Sequence, residues 1–236
     1  MSVLDDILAA KRDEVTLLHQ PQARDAVRTA ALAAPPPRDF VGALRHDDQL
    51  GVIAEFKRRS PSKGDLAPHL DPAATAHAYA AGGAAALSVL TDQLFFGGSV
   101  DDLRLARAAA AHTPVLRKDF TIDADQVYES RAIGADAVLL IVAAVPDPVR
   151  LADLHTLAGE LGLGVLVEAH DQAELDVALG IGARVVGVNA RNLGTFAEDL
   201  GVAEQLAARI PAEVVAVAES AIRSPDDARR VAAVGF

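Results

Sequence analysis

Gly51-Val52-Ile53-Ala54-Glu55-Phe56-Lys57 is an apolar run that ends with a carboxylate and an ammonium two positions apart. In a β-strand, residues two apart share a face, so Glu55 and Lys57 stand side by side. A buried strand tolerates two charges on one face when they are paired or used. The pattern recurs at the ends of later apolar runs: Lys118, Glu168, Asn189, then Glu219 with Ser220. Polar groups converging from several strand ends point to an active site at the open, C-terminal end of a parallel barrel.

The spacing of those runs supports the same fold. Strands are expected at 52–57, 85–90, 115–118, 137–142, 164–168, 185–189 and 214–219, with ends 21 to 33 residues apart. That is the length of a strand–helix unit, and the runs lack the polar alternation of a half-exposed sheet. Helix-start chemistry lies between them. Asp71-Pro72 and Asp147-Pro148 read as N-caps with proline at the first helical position. Asp171 to Glu174 and Thr195 to Glu198 read as capping boxes, and Ser224-Pro225 with Asp227 combines both signals. Gly97-Gly98-Ser99 reads as a turn and cap. A (β/α)8 TIM barrel is therefore expected over an open doubly wound sheet, for which no Gly-x-Gly-x-x-Gly follows the first strand. Seven strands are visible, and the chain ends at Phe236 where an eighth βα unit would begin. The expectation is a fragment or an early stop lacking that unit, with weak or no activity by itself.

Residues 1–48 are read as a helical extension before a single barrel domain, whose seven strands and helices fill 51–236. Helix 3–18 is amphipathic, with Lys11, Arg12 and Asp13 assigned to its polar face. Pro35, Pro36 and Pro37 break the chain, and a short helix is expected at 40–44.

Composition narrows the function. Half of the 236 residues are hydrophobic, enough for a large core, and there is no cysteine for disulfides or thiolate metal sites. A formal charge of −11 with 4% aromatics argues against nucleic-acid binding. No apolar run has membrane-spanning length, and the N-terminus is acidic where a signal peptide would be basic. A cytoplasmic protein without membrane contact is expected.

Glu55 and Lys57 read as an acid/base pair, and the basic loop Arg58 to Lys63 as a field for a phosphate or carboxylate. Lys118 is expected to be buried with a lowered pKa, as a general acid or base. Arg117 and Asp119 alternate with it, should point outward and can pair. Asn189 and Arg191 follow strand six, and Glu219 and Ser220 end strand seven, where barrels place a phosphate site. The seven histidines show no metal-ligand spacing and read as surface or packing residues.

Five segments, in order, resemble indole-3-glycerol phosphate synthase: 53–64, 87–99, 114–120, 187–193 and 218–220. The resemblance runs from Val3 to about Ser224, and the N-terminal extension fits it. It implies ring closure of 1-(2-carboxyphenylamino)-1-deoxyribulose 5-phosphate, with loss of carbon dioxide and water and no cofactor or metal. Glu55, Lys57, Lys118, Glu168, Asn189, Glu219 and Ser220 become the implied catalytic set. Lys118 is the implied general acid, and Lys57, Glu168 and Glu55 are candidates for a second acid and base. Ser60, Phe120, Arg191 and Ala221 become substrate-binding. Ala221 departs from the family's Glu-Ser-Gly, so its β-carbon is expected to crowd the phosphate or restrict the backbone. The resemblance also implies association with other tryptophan-pathway enzymes. The alternatives are another phosphate-binding barrel, such as a phosphoribosyl isomerase, and a non-catalytic ligand-binding barrel. An isomerase of that type would use a Cys or Asp base.

Overall fold

The computed structural model describes residues 2–45, 50–191 and 197–236. His46, Asn192 and the expected cap at Thr195 lie outside them. The described chain opens with helices α1 (Val3–Leu18), α2 (Pro21–Ala33) and α3 (Phe40–Leu44), followed by β1 (Ile53–Phe56). A small hairpin, β2 (Arg59–Ser60) and β3 (Gly64–Asp65), precedes α4 (Pro72–Ala81). Then come β4 (Ala86–Leu90), α5 (Gln93–Phe96), α6 (Val100–Ala109), β5 (Val115–Lys118), α7 (Ala124–Ala132) and β6 (Ala137–Ile141). The rest is α8 (Pro148–Glu160), β7 (Gly164–Ala169), α9 (Gln172–Gly180), β8 (Val185–Asn189), α10 (Leu200–Ala207), β9 (Val215–Glu219) and α11 (Pro225–Ala233).

The main sheet has seven strands in the order β1-β4-β5-β6-β7-β8-β9, each pair parallel. Strand order follows chain order, as it does when a sheet winds in one direction only. Alternate residues divide the sheet into two faces. Val89, Val115, Val138, Leu140, Val167, Val186 and Val188 are buried in clusters that include helix residues Leu103, Leu151 and Leu175. The other face, with Leu116, Leu139, Ile141 and Leu166, lines one common cavity, so the sheet curls around it. Strands covered on both faces explain the continuous apolar runs.

The expected N-caps form, but the capping box expected at Asp171 to Glu174 does not close, because the Glu174 side chain accepts the His170 backbone N–H and not that of Asp171. Asp71, Asp147, Asp171 and Ser224 each accept a backbone N–H in the first turn of their helices. Gly97 is left-handed and Ser99 caps α6.

The N-terminal segment departs from expectation at two points. Helix α2 was not expected, because Ala31 is its one buried residue and apolar periodicity is correspondingly thin. Pro21 at its first turn and its alanines favour it locally. Arg28 secures it against α7, lying 4.7 Å over the Tyr128 ring and donating to Asp125 at 2.8 Å. Lys11 is not on a polar face: it is buried, 2.9 Å from both Asp92 and Asp119. Burial would push its pKa down, but the two aspartates reverse that and hold it above its ordinary value. Phe40 of α3 packs at the start of β7, where a β-carbon on Gly164 would meet it at 2.9 Å.

Candidate active site

Six of the seven strands of the main sheet bring a polar side chain to a cavity of about 950 Å³, and β6 brings only Leu139 and Ile141. β1 supplies Glu55, and Lys57 just beyond it donates to Glu55 Oε1 at 2.5 Å. Ser88 of β4 donates to Glu55 Oε2 at 3.4 Å. Lys118, the last residue of β5, donates to Glu168 Oε2 of β7 at 3.0 Å and also to Glu219 Oε2 of β9. Asn189 of β8 donates to Glu168 Oε1 at 3.0 Å. Gly187 makes room for the last carboxylate, since a β-carbon there would sit 2.0 Å from Glu219 Oε1. That oxygen is buried without a hydrogen-bond partner.

The charges settle unequally. Burial pushes Lys118 down, but Glu168, Glu219 and Glu55 outweigh it and hold the ammonium above its ordinary pKa. This overturns the expected lowering: desolvation acts as anticipated, yet three carboxylates surround the cation. Burial also opposes ionisation of Glu168, and Lys118, His170 and Asn189 overcome it, so Glu168 falls below the usual carboxylate range. Glu219 goes the other way. Burial and the like charges of Glu168 and Glu55 outweigh Lys118 and push it up to about 7. One cation thus separates an ionised carboxylate from one that holds a proton near neutrality.

The rim carries cationic groups. Arg191 N–H donates to Asn189 Oδ1 at 3.1 Å, and its guanidinium reaches Glu198 Oε1 from Nε at 3.1 Å and Nη2 at 2.5 Å. Arg223 also pairs with Glu198, and Lys63 lies on the same wall. Ser220 and Ala221 are consecutive left-handed residues, at φ 64° and 59°. Ala221 thus holds a conformation that its β-carbon disfavours. Phe120 lines the cavity with Phe96, their ring centroids 6.0 Å apart.

Several sequence assignments fall elsewhere. Ser60 is buried beside the Lys63 amide and is not among the described lining residues. Arg58 turns from the cavity to a two-pronged pair with Asp102, at 2.5 and 2.9 Å. Arg117 and Asp119 do pair, at 3.2 Å, but both are buried. Asp119 is held at about 2: burial opposes ionisation, and Arg117 and Lys11 overcome it.

Sequence reasoning missed His170, which is neither a surface nor a simple packing residue. It lies between Glu168 and Glu174, at 3.2 and 2.9 Å. Its signal was the spacing Glu168-x-His170, which puts both on one face of the strand end. His19, Asp123 and Asp125 cluster closely enough for a metal. Arg24 and Arg28 already neutralise Asp125, at 2.9 and 2.8 Å, so the cluster reads as an ion-pair network between α1, α2 and α7.

Comparison with known proteins shows the family. A family model described as "Indole-3-glycerol phosphate synthase" matches residues 4–236. A Nocardioides sp. protein of that name is 53% identical over 230 residues, covering 98% of this chain and 87% of that protein. One from Aromatoleum aromaticum is 52% identical, covering 95% and 86%. Among solved structures, thiamine phosphate pyrophosphorylase from Pyrococcus furiosus aligns with a TM-score of 0.52 at 17% identity, covering 70% of this chain and 75% of that one. At that identity it speaks for the α/β fold alone.

Proposed function

The chain belongs to the indole-3-glycerol phosphate synthase family, and we propose that its cavity carries the ring closure of 1-(2-carboxyphenylamino)-1-deoxyribulose 5-phosphate. The reaction class is a carbon–carbon lyase, specifically a carboxy-lyase, in tryptophan biosynthesis. The observation that supports it best is Lys118 flanked by Glu168 and Glu219, each from a different strand.

The ring carbon that bears the carboxylate attacks the ketone carbon. Negative charge develops on the ketone oxygen, and the Lys118 ammonium stabilises it and donates a proton. A lysine held above its ordinary pKa is a weak acid towards water but adequate towards an alkoxide. The carboxylate leaves as carbon dioxide, and its bonding electrons restore the aromatic ring. The new hydroxyl then takes a proton and leaves as water while a base removes one of the two protons on the methylene carbon beside the nitrogen, forming the carbon–carbon double bond of the new ring. Glu168, kept ionised, suits the base. Lys57, fixed by Glu55, suits the second acid.

Phe120 and Phe96 would hold the aromatic ring near the ketone. Arg191, Lys63 and Arg223 suit the carboxylate, and the backbone at Ser220 and Ala221 suits the phosphate. The same reading takes the sheet as a TIM-type barrel over 51–236 behind a helical extension at 1–48. It also takes the location as cytoplasmic, with other enzymes of the pathway as partners. None of the described helices is long and apolar enough to cross a membrane.

Indole-3-glycerol phosphate formation, followed by fluorescence, tests the proposal. Product made by the protein and lost in Lys118→Ala supports it. A folded chain extended through an eighth βα unit that yields no product at any substrate concentration refutes it.

A further inference from the structure

His170 follows β7 directly, two residues beyond Glu168, and its side chain is 12% exposed. Its Nδ1 lies 2.9 Å from Glu174 Oε2. Its Nε2 lies 3.2 Å from Glu168 Oε1, off the line of a hydrogen bond, so this second contact is one of charge when the ring is doubly protonated. Glu174 is itself fixed. Its Oε2 accepts the His170 backbone N–H at 2.8 Å, and its own N–H is capped by Asp171 at 2.9 Å. The first turn of α9 therefore reaches Glu168 through one imidazole.

We propose that His170 is a positioning residue that keeps Glu168 ionised and aimed at Lys118 through the bridge Glu174–His170–Glu168. The inference rests on the synthase reading, in which Glu168 is the base. A neutral imidazole has one N–H, but here both ring nitrogens face carboxylates, which favours the doubly protonated cation. The groups facing the ring are Glu168 from β7 and Glu174 from α9. Asn189 from β8 and Lys118 from β5 act on it through Glu168.

The bridge matters because Lys118 is shared. Glu219 draws on the same ammonium. Without the imidazolium, Glu168 keeps only a divided cation and the Asn189 amide. A proton then settles more readily on Glu168, and the base is lost at a higher pH. Burial opposes the charge on His170, but its two carboxylates prevail and raise it to about 9.

Two measurements test this. In the wild-type protein, the His170 ring nitrogens are followed by NMR against pH, the signal being assigned by its absence in His170→Gln. The expected midpoint is near 9, and a midpoint at or below 6.5 overturns the proposal. In the assay, His170→Gln should lower kcat about tenfold and move the acid limb of kcat/KM upward by about one pH unit, with KM changed less than about twofold. His170→Arg should restore the limb. A folded His170→Gln with the wild-type limb overturns the proposal. If the protein extended through an eighth βα unit makes no product, the synthase reading fails, and the NMR midpoint still decides whether His170 is a cation.

Discussion

Lys118→Met keeps much of the side chain's bulk and removes the one ammonium between Glu168 and Glu219. Deleting one partner of a buried ion pair costs about 3–5 kcal/mol when the other charge stays ionised. Here the cost depends on pH, because the carboxylates can take up a proton instead. In the wild-type protein Glu219 titrates near 7, above its ordinary 4.5. Its contribution to stability is complete below 4.5 and is lost as pH rises through 7. Without Lys118 the two carboxylates share a proton to a higher pH. Above pH 7 the folded variant then binds about one proton more than the unfolded chain, which gives a decline of about 1.4 kcal/mol per pH unit. His170, raised from 6.5 to about 9, adds a decline of the same sign to both proteins, so the difference isolates Lys118. Urea unfolding by circular dichroism at pH 6, 7, 8 and 9 reads it. The stability gap should already be present at pH 6 and widen by about 3 kcal/mol by pH 9. The variant's kcat should fall by about 10²–10⁴ if the group is the general acid. Parallel stability curves across the four pH values would refute the shared-cation argument, and a kcat near wild type would refute the catalytic role.

Two further outcomes follow from the same geometry. Ala221→Gly relieves a left-handed alanine at φ 59° and should stabilise the protein by about 1 kcal/mol, read as a raised Tm; an unchanged or lower Tm counts against strain there. Lys11→Met strips the buried cation from Asp92 and Asp119 and should cost about 3–5 kcal/mol. Asp119 titrates at about 2 instead of 3.8, so its stabilisation is present above 3.8 and lost as pH falls through 2. The variant should begin acid unfolding at a higher pH, and an acid transition at the wild-type pH would show that Lys11 does not hold Asp119 ionised.

The seven strands were legible because their signal is local. Apolar runs repeat at βα spacing, and Asp71, Asp147, Asp171 and Ser224 mark helix starts by chemistry within one turn. Helix α2 escaped because so little of it is buried. Lys11 was misassigned for a related reason: it occurs among charged neighbours on α1, Glu14 among its partners, and the two buried aspartates it serves are far along the chain.

The candidate residues were legible as polar positions at strand ends, since alternation on a strand decides which side chains share a face. Their charge states were not. Lys118 is 50 residues from Glu168 and 101 from Glu219, so its rise in pKa exists only once three strands curl together. The same holds for His170, which is a local packing residue in sequence and a bridge between two carboxylates in space. Sequence set the elements and the acid, base and cation types at their ends, because those depend on periodicity and neighbouring residues. Tertiary structure alone decided which groups hold protons, because that depends on which charges meet away from water.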